Sequence, residues 1–130
     1  MTALVLWLPG QILNPLNVGA WGLHKHRRWA KARREQASEH ARVAMLRSPA
    51  WRAVDPAAPK RVEFFAVVAK SFDGDGLQAA LKPTRDGLAD ARLIHHDGPK
   101  SGHAFVYDQR GTRKEPPGVR VTIALMETTR

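Results

Sequence analysis

The chain contains no cysteine. Its absence excludes a disulfide framework and a thiolate zinc site, and it fits a reducing cytosol. No apolar run approaches the roughly 20 residues a membrane span needs. The apolar start, Ala3 to Leu8, is too short for a signal peptide and has no basic segment before it. A soluble, cytoplasmic protein is therefore expected. Internal repeats and low-complexity tracts are also missing. Acidic side chains are scarce, 12 Asp and Glu against 21 Lys and Arg, which leaves a net charge of +9. That balance, with a pI near 10.9, favours a polyanionic partner. Nucleic acid is the first expectation, because neutralising phosphates releases counterions. The alternative is a merely basic, soluble surface.

What is present is ordinary for a globular chain: 43% hydrophobic and 25% charged residues over 130 positions. A single domain over residues 1–130 is expected, since a chain of this length buries about two-thirds of its unfolded surface. Ala3 to Leu8 alternates as a strand, with Leu4, Leu6 and Leu8 on one face, and Pro9-Gly10 stops it. An irregular stretch with Asn14-Pro15 and Asn17 follows. Trp21 to Leu46 is rich in Ala, Arg, Lys and Glu and free of proline, which predicts a helix. Ala30, Ala37, Ala41 and Met45 form its narrow stripe of mostly small residues, suited to close docking on a sheet.

Pro49, Pro56 and Pro59 make Ser48 to Lys60 a loop. Arg61 to Lys70 is the best strand, apolar on both faces at its middle, as a central strand would be. Gly76 to Ala91 predicts a second helix, with Leu77, Leu81 and Leu88 on one face, Asp75 as its cap and Pro83 as a local disturbance. His103 to Asp108 and Val119 to Met126 alternate as two strands, joined as a hairpin by the polar Arg110-to-Gly118 loop. The expected fold is α/β in the α+β sense: a small mixed sheet with two main helices, in the order β-α-β-α-β-β.

Two groups of residues carry chemistry. The first is basic: Lys25, Arg27, Arg28, Lys31, Arg33 and Arg34, with Trp21 and Trp29 interleaved. It suits contacts to phosphate, with Trp29 more naturally a core residue than a stacking platform. The other reading is a solvated helix face. The second group is acidic: Asp73-Gly74-Asp75-Gly76 after the central strand, then Lys82, Asp86 and Asp97. Mg²⁺ takes oxygen ligands, usually one or two carboxylates with water and phosphate, and Asp73, Asp75 and Asp97 are the natural candidates. Lys82 would offset phosphate charge, and Asp86 lies one turn beyond it. Taken alone, Asp-Gly-Asp-Gly reads first as turn and cap chemistry and only second as a site. It is not an EF-hand loop, because Leu77 and Thr84 stand where oxygen ligands are required. His95, His96, Asp97 and His103 form a rival candidate for zinc, against which adjacent histidines commonly point apart. His24 and His26 read as part of the basic surface.

The succession Phe72-Asp73-Gly74-Asp75-Gly76-Leu77, Leu81-Lys82, Asp86-Gly87-Leu88-Ala89-Asp90 and Ile94-His95-His96-Asp97 resembles the RusA family of Holliday junction resolvases, phage-encoded members included. The likeness is concentrated in Arg61 to Asp97. It is looser at Leu8-Pro9-Gly10, at an asparagine (Asn14 or Asn17), and at the Val119-to-Ile123 strand. The resemblance implies a homodimeric, Mg²⁺- or Mn²⁺-dependent endodeoxyribonuclease that cuts branched DNA in a bacterial cytoplasm, leaving a 5′-phosphate and a 3′-hydroxyl. It implies Asp73, Asp75 and Asp97 as metal ligands, Lys82 as the catalytic lysine and Asp86 as a supporting acid. Gly76 stands where the family pattern has asparagine, and His96 where it has an aspartate. These two departures motivate the alternative, a DNA-binding module that grips branched or duplex DNA without cutting it. A weaker alternative is a basic, ribosome-associated RNA-binding protein, which leaves the ordered aspartates without a purpose.

Overall fold

The computed structural model describes residues 2–14 and 20–126. In chain order the elements are β1 (Leu4–Pro9), α1 (Ala20–Leu46), a single-turn α2 (Pro49–Arg52), β2 (Lys60–Val68), α3 (Gly74–Asp90), β3 (Ala104–Gly111) and β4 (Gly118–Leu125). The α+β class and the order of the main elements are as expected. The one-turn α2 breaks the expected 48–60 loop, with Pro49 at its first position, where a missing N–H costs nothing. Pro15 and Asn17, and the side chain of Trp21, lie outside the described residues.

The four strands form one mixed sheet in the order β1-β4-β2-β3. β4 pairs antiparallel with β1 and with β2, whereas β3 runs parallel to β2 on its other side. The expected hairpin of β3 and β4 does not exist: β2 lies between them. Alternation in each strand was read correctly, but it says nothing of which strand is the neighbour. β2 is the inner strand its two-sided apolar middle implied. Its connection to β3 is the helical crossover that parallel neighbours require.

Inward-facing Leu4, Leu6, Leu8, Val62, Phe64, Ala66, Val119, Val121 and Ile123 form one core with Leu77, Ala80, Leu81 and Leu88 of α3 and Ala37 and Ala41 of α1. The helices therefore cover one face of the sheet, and Val5, Trp7 and Val106 on the other stay exposed. The small-residue stripe of α1 docks mainly against α3. A Cβ at Gly87 would lie 2.4 Å from the Arg34 carbonyl oxygen and 2.7 Å from the Ala37 Cβ, so glycine sets how closely the two helices approach. α3 continues through Pro83, which cannot give the usual bond to the carbonyl of Ala79. Among the described residues no helix is long and apolar enough to cross a membrane.

Candidate functional site

α3 begins one turn from the end of β2, and its start is fixed from three sides. The Asp73 carboxylate accepts from the Gly76 N–H at 2.7 Å, so Asp73, not Asp75, is the N-cap. Asp75 stands exposed in the first turn, where its charge complements the helix dipole. Gln109 of β3 clamps the preceding residue: its Oε1 accepts from the Phe72 N–H at 2.9 Å and its Nε2 donates to the Phe72 carbonyl at 2.7 Å. A side chain at Gly76 would have to push aside two neighbouring side chains. A Cβ there would come within 2.6 Å of both the Asn14 Nδ2 and the Asp73 Oδ1. The amide of Asn14 thus stands in the space that an asparagine at position 76 would have to enter.

The other end of α3 closes with Arg92 in the left-handed region (φ 64) and the Leu93 N–H bonded to the Leu88 carbonyl at 3.1 Å. This Schellman-type stop reverses the chain and returns it alongside the helix. Asp97 arrives there, beside the middle of α3. The Lys82 Nζ lies 3.3 Å from Asp86 Oδ1 and 3.4 Å from Asp97 Oδ2, and Arg85 Nε is 3.6 Å from the same Asp97 oxygen. Three of the five acidic-cluster residues expected from the sequence, Lys82, Asp86 and Asp97, are therefore brought together. Asp73 and Asp75 are not. Seven residues of helix separate Asp75 from Lys82, a rise of about 10 Å. Among the described residues no three carboxylate or imidazole groups converge to hold a metal ion.

The set Asp73, Asp75 and Asp97 thus does not fit one ion. Asp86 and Asp97 do fit as a two-carboxylate site, because the Lys82 ammonium sits against both, at 3.3 and 3.4 Å, as a cation would. Burial pushes the Asp97 carboxyl up, but Lys82 and Arg85 outweigh it and hold the group below the usual carboxylate value. The site is partly open, with side-chain exposures of 57% for Lys82, 24% for Asp86 and 20% for Asp97.

Sequence reading missed the residues that brace this cluster. Arg85, one turn from Lys82, donates to the Tyr107 hydroxyl and lies 5.7 and 5.8 Å from the Phe105 and Tyr107 ring centroids. Its place on α3 was a usable signal, whereas its contact with β3 was not. Arg34 makes a two-pronged bond to Asp90 at 2.6 and 2.8 Å and lies 3.9 Å from Asp86. The hydrogen bond to Asp90 raises the Arg34 pKa, and the same bond lowers that of Asp90.

Compared with known proteins, this chain matches no family model and no curated protein.

The basic group divides. Lys25, Arg27, Arg28 and Lys31 are exposed on α1. Arg33 is buried (4% exposed) and donates to the carbonyls of Leu8, Pro9 and Gly10 and to Gln36. Burial pushes its pKa down to about 10. It ties α1 to the end of β1 and leaves the set of residues that can face a phosphate backbone. Arg34 is turned to α3, as above. Trp29 packs on the core and donates to the Gln11 carbonyl at 3.1 Å, so it is the core residue expected rather than a platform.

The histidines form no ligand set. His95 Nδ1 and His103 Nε2 hydrogen-bond each other at 3.0 Å, and His96 Nδ1 accepts from the Gly98 N–H. His103 Nδ1 accepts from the Lys60 backbone N–H at 3.2 Å, while the buried Lys60 ammonium caps the carbonyls of Asp55, Pro56 and Ala58. These contacts tie the segment before Asp97 to the starts of β2 and β3.

Proposed function

We propose that this protein is a divalent-metal-dependent endodeoxyribonuclease of the RusA kind that cuts branched DNA, resolving four-way junctions by paired incisions. The observation that carries the reading is the meeting of Lys82 and Asp86 on α3 with Asp97 from the returning segment, within 3.4 Å. The helix alone joins Lys82 to Asp86, one turn apart, but nothing in turn or cap chemistry requires Asp97 to meet them.

Asp86 and Asp97 would hold the Mg²⁺, which when bound supplies Lewis-acid stabilisation of charge on the phosphodiester. Everything else is done by the chain. Lys82, long and more than half exposed, is free to swing from the carboxylates to a phosphate oxygen. Arg85, anchored on Tyr107, keeps Asp97 ionised and in place. Lys25, Arg27, Arg28 and Lys31 on α1 engage the backbone of a DNA arm. Two symmetric cuts call for two copies related by a two-fold axis.

A second reading, a DNA-binding module that does not cut, is favoured by one observation. Lys82, Arg85 and Arg34 already neutralise Asp86 and Asp97, and Asp73 is spent on its cap. A labelled four-way junction incubated with and without Mg²⁺, beside the variant Asp97→Asn, separates the two. Paired nicks that require metal and disappear in the variant are expected. Tight binding without nicks at any Mg²⁺ concentration would exclude the enzyme and leave the module.

A further inference from the structure

The face of the sheet turned away from the helices carries one row in which rings and a guanidinium alternate. Strand register sets Trp7 of β1 beside Arg120 of β4, and Arg120 beside Phe65 of β2. Trp7 lies across β4 because Gly118 has no side chain: a Cβ there would stand 2.6 and 2.9 Å from two atoms of the six-membered ring. One face of the indole is thus spent on backbone and the other is left to solvent, the residue being 45% exposed. The Arg110 and Arg120 guanidiniums lie over the ring of Phe65, 5.5 and 5.0 Å from its centroid, so cation–π attraction holds them at the surface. A depression of about 280 Å³ opens between Trp7, Phe65 and these two arginines.

We propose that this row is a stacking platform for single-stranded DNA. An unpaired base lies on the outer face of Trp7, its neighbour enters the depression beside Phe65, and Arg120 meets the phosphate between them. Three observations choose this occupant. The first is shape. A sheet face offers no element that enters a groove of duplex DNA, and within a duplex each base already has its faces covered by its neighbours. An unpaired base has a free face, and an aromatic ring accepts it whatever the sequence. The second is charge. Arg61 and Arg110 are paired with Glu63 and Glu115, each at 2.7 Å, whereas Arg120 has no carboxylate partner among the described residues. Arg113 and Lys114 stand exposed on the loop that leads into β4. Asp108 closes the row on β3, so a phosphate is drawn towards β4 and that loop and away from β3. The third is the apolar surface. Charged side chains break it into separate rings and valines, which suits single bases better than the continuous core of a protein interface. The platform lies on the face opposite α1 and the Lys82 cluster, and so is a second DNA surface of different chemistry. The choice of DNA over RNA rests on the junction-cutting reading; the platform itself does not.

Fluorescence anisotropy on the full chain tests this, with a labelled oligothymidylate beside an abasic deoxyribose-phosphate strand of equal length and charge. Far-UV circular dichroism confirms folding. The wild type is expected to bind the oligothymidylate about tenfold more tightly than the abasic strand, the effect of one or two stacked bases. Trp7→Leu keeps the apolar bulk and loses the ring, and should bring the two affinities together. Trp7→Phe keeps a smaller ring and should retain part of the difference. Arg120→Gln should weaken both strands, and Arg27→Ala combined with Arg28→Ala should leave their ratio unchanged. Equal affinities in the wild type, or an undiminished ratio in folded Trp7→Leu protein, would overturn the proposal. Equal affinities together with a sedimenting mass above that of the 14.4 kDa chain would give the face to a second copy instead. Tighter binding of oligouridylate RNA than of oligothymidylate would overturn the choice of DNA. Junction cleavage is read separately. Cleavage with equal affinities sinks the platform alone, and a base-dependent ratio without cleavage sinks the nuclease reading alone.

Discussion

Asp73 shows how one side chain admits two readings that its neighbours decide. By spacing it is a metal ligand, and by geometry it is the cap of α3, its Oδ1 bound to the Gly76 N–H. The two roles respond differently to substitution. Asparagine caps a helix about as well as aspartate, whereas alanine costs about 1 kcal/mol. Asp73→Asn should thus unfold at the same denaturant midpoint as the wild type, and Asp73→Ala about 1 kcal/mol earlier. If Asp73→Asn were as destabilised as the alanine variant, its charge rather than its cap would be what matters. Asn14 belongs to the same corner. Its amide and the Asp73 carboxylate together crowd position 76, where a side chain would have to displace them. The neighbour of Gly76 in space is thus a residue 62 positions earlier in the chain, which no reading along the sequence could reveal.

At the scale of elements, periodicity located every strand and both long helices, because burial on one face imposes a period of two or of 3.6. It could not locate the partner of β3. The parallel pairing with β2 arises because α3 returns the chain to the same end of the sheet, a long-range outcome with no local signature. Arg33 was misassigned for a similar reason. Within α1 it belongs to a basic run, and only the end of β1, brought to it by folding, supplies the three carbonyls that take it out of solvent. In the site, spacing joined Lys82 to Asp86, one turn apart. Bringing Asp97 to them required the left-handed stop at Arg92.

The contact between β2, β3 and the segment before Asp97 has a pH signature. Burial first, then the charges of Lys60, His95 and His96, push the His103 pKa down from 6.5 to about 4. The unfolded chain binds the proton more readily than the folded one, so stability rises with pH across that window. The contribution of His103 is complete above pH 6.5 and is lost as pH falls towards 4. Asp90 and Asp97, both shifted below 3.8, add their losses only at lower pH. Chemical denaturation from pH 7 to 4 should show the decline in the wild type and a flatter curve in His103→Gln. Equal slopes in the two proteins would remove His103 as the source.

For the whole molecule, the distribution of charge matters more than its sum. Five of the acidic side chains are paired internally: Asp86, Asp90 and Asp97 against Lys82, Arg85 and Arg34, Glu63 against Arg61, and Glu115 against Arg110. Lys25, Arg27, Arg28 and Lys31 stand exposed close together on α1, outside these pairs. If that segment meets the DNA backbone, each lost phosphate contact reduces the salt dependence of binding, with log K falling against log salt by about 0.9 per contact on duplex DNA. Arg27→Ala combined with Arg28→Ala should weaken junction binding and lower the slope by about 2. Arg33→Ala is the informative comparison. It removes a formal charge from the same helix, yet that charge faces backbone carbonyls, so the expected result is lower stability with the slope unchanged in the fraction that folds. A slope insensitive to the Arg27 and Arg28 pair would move the DNA surface off α1, and one sensitive to Arg33 would mean that the joint between α1 and β1 opens on binding.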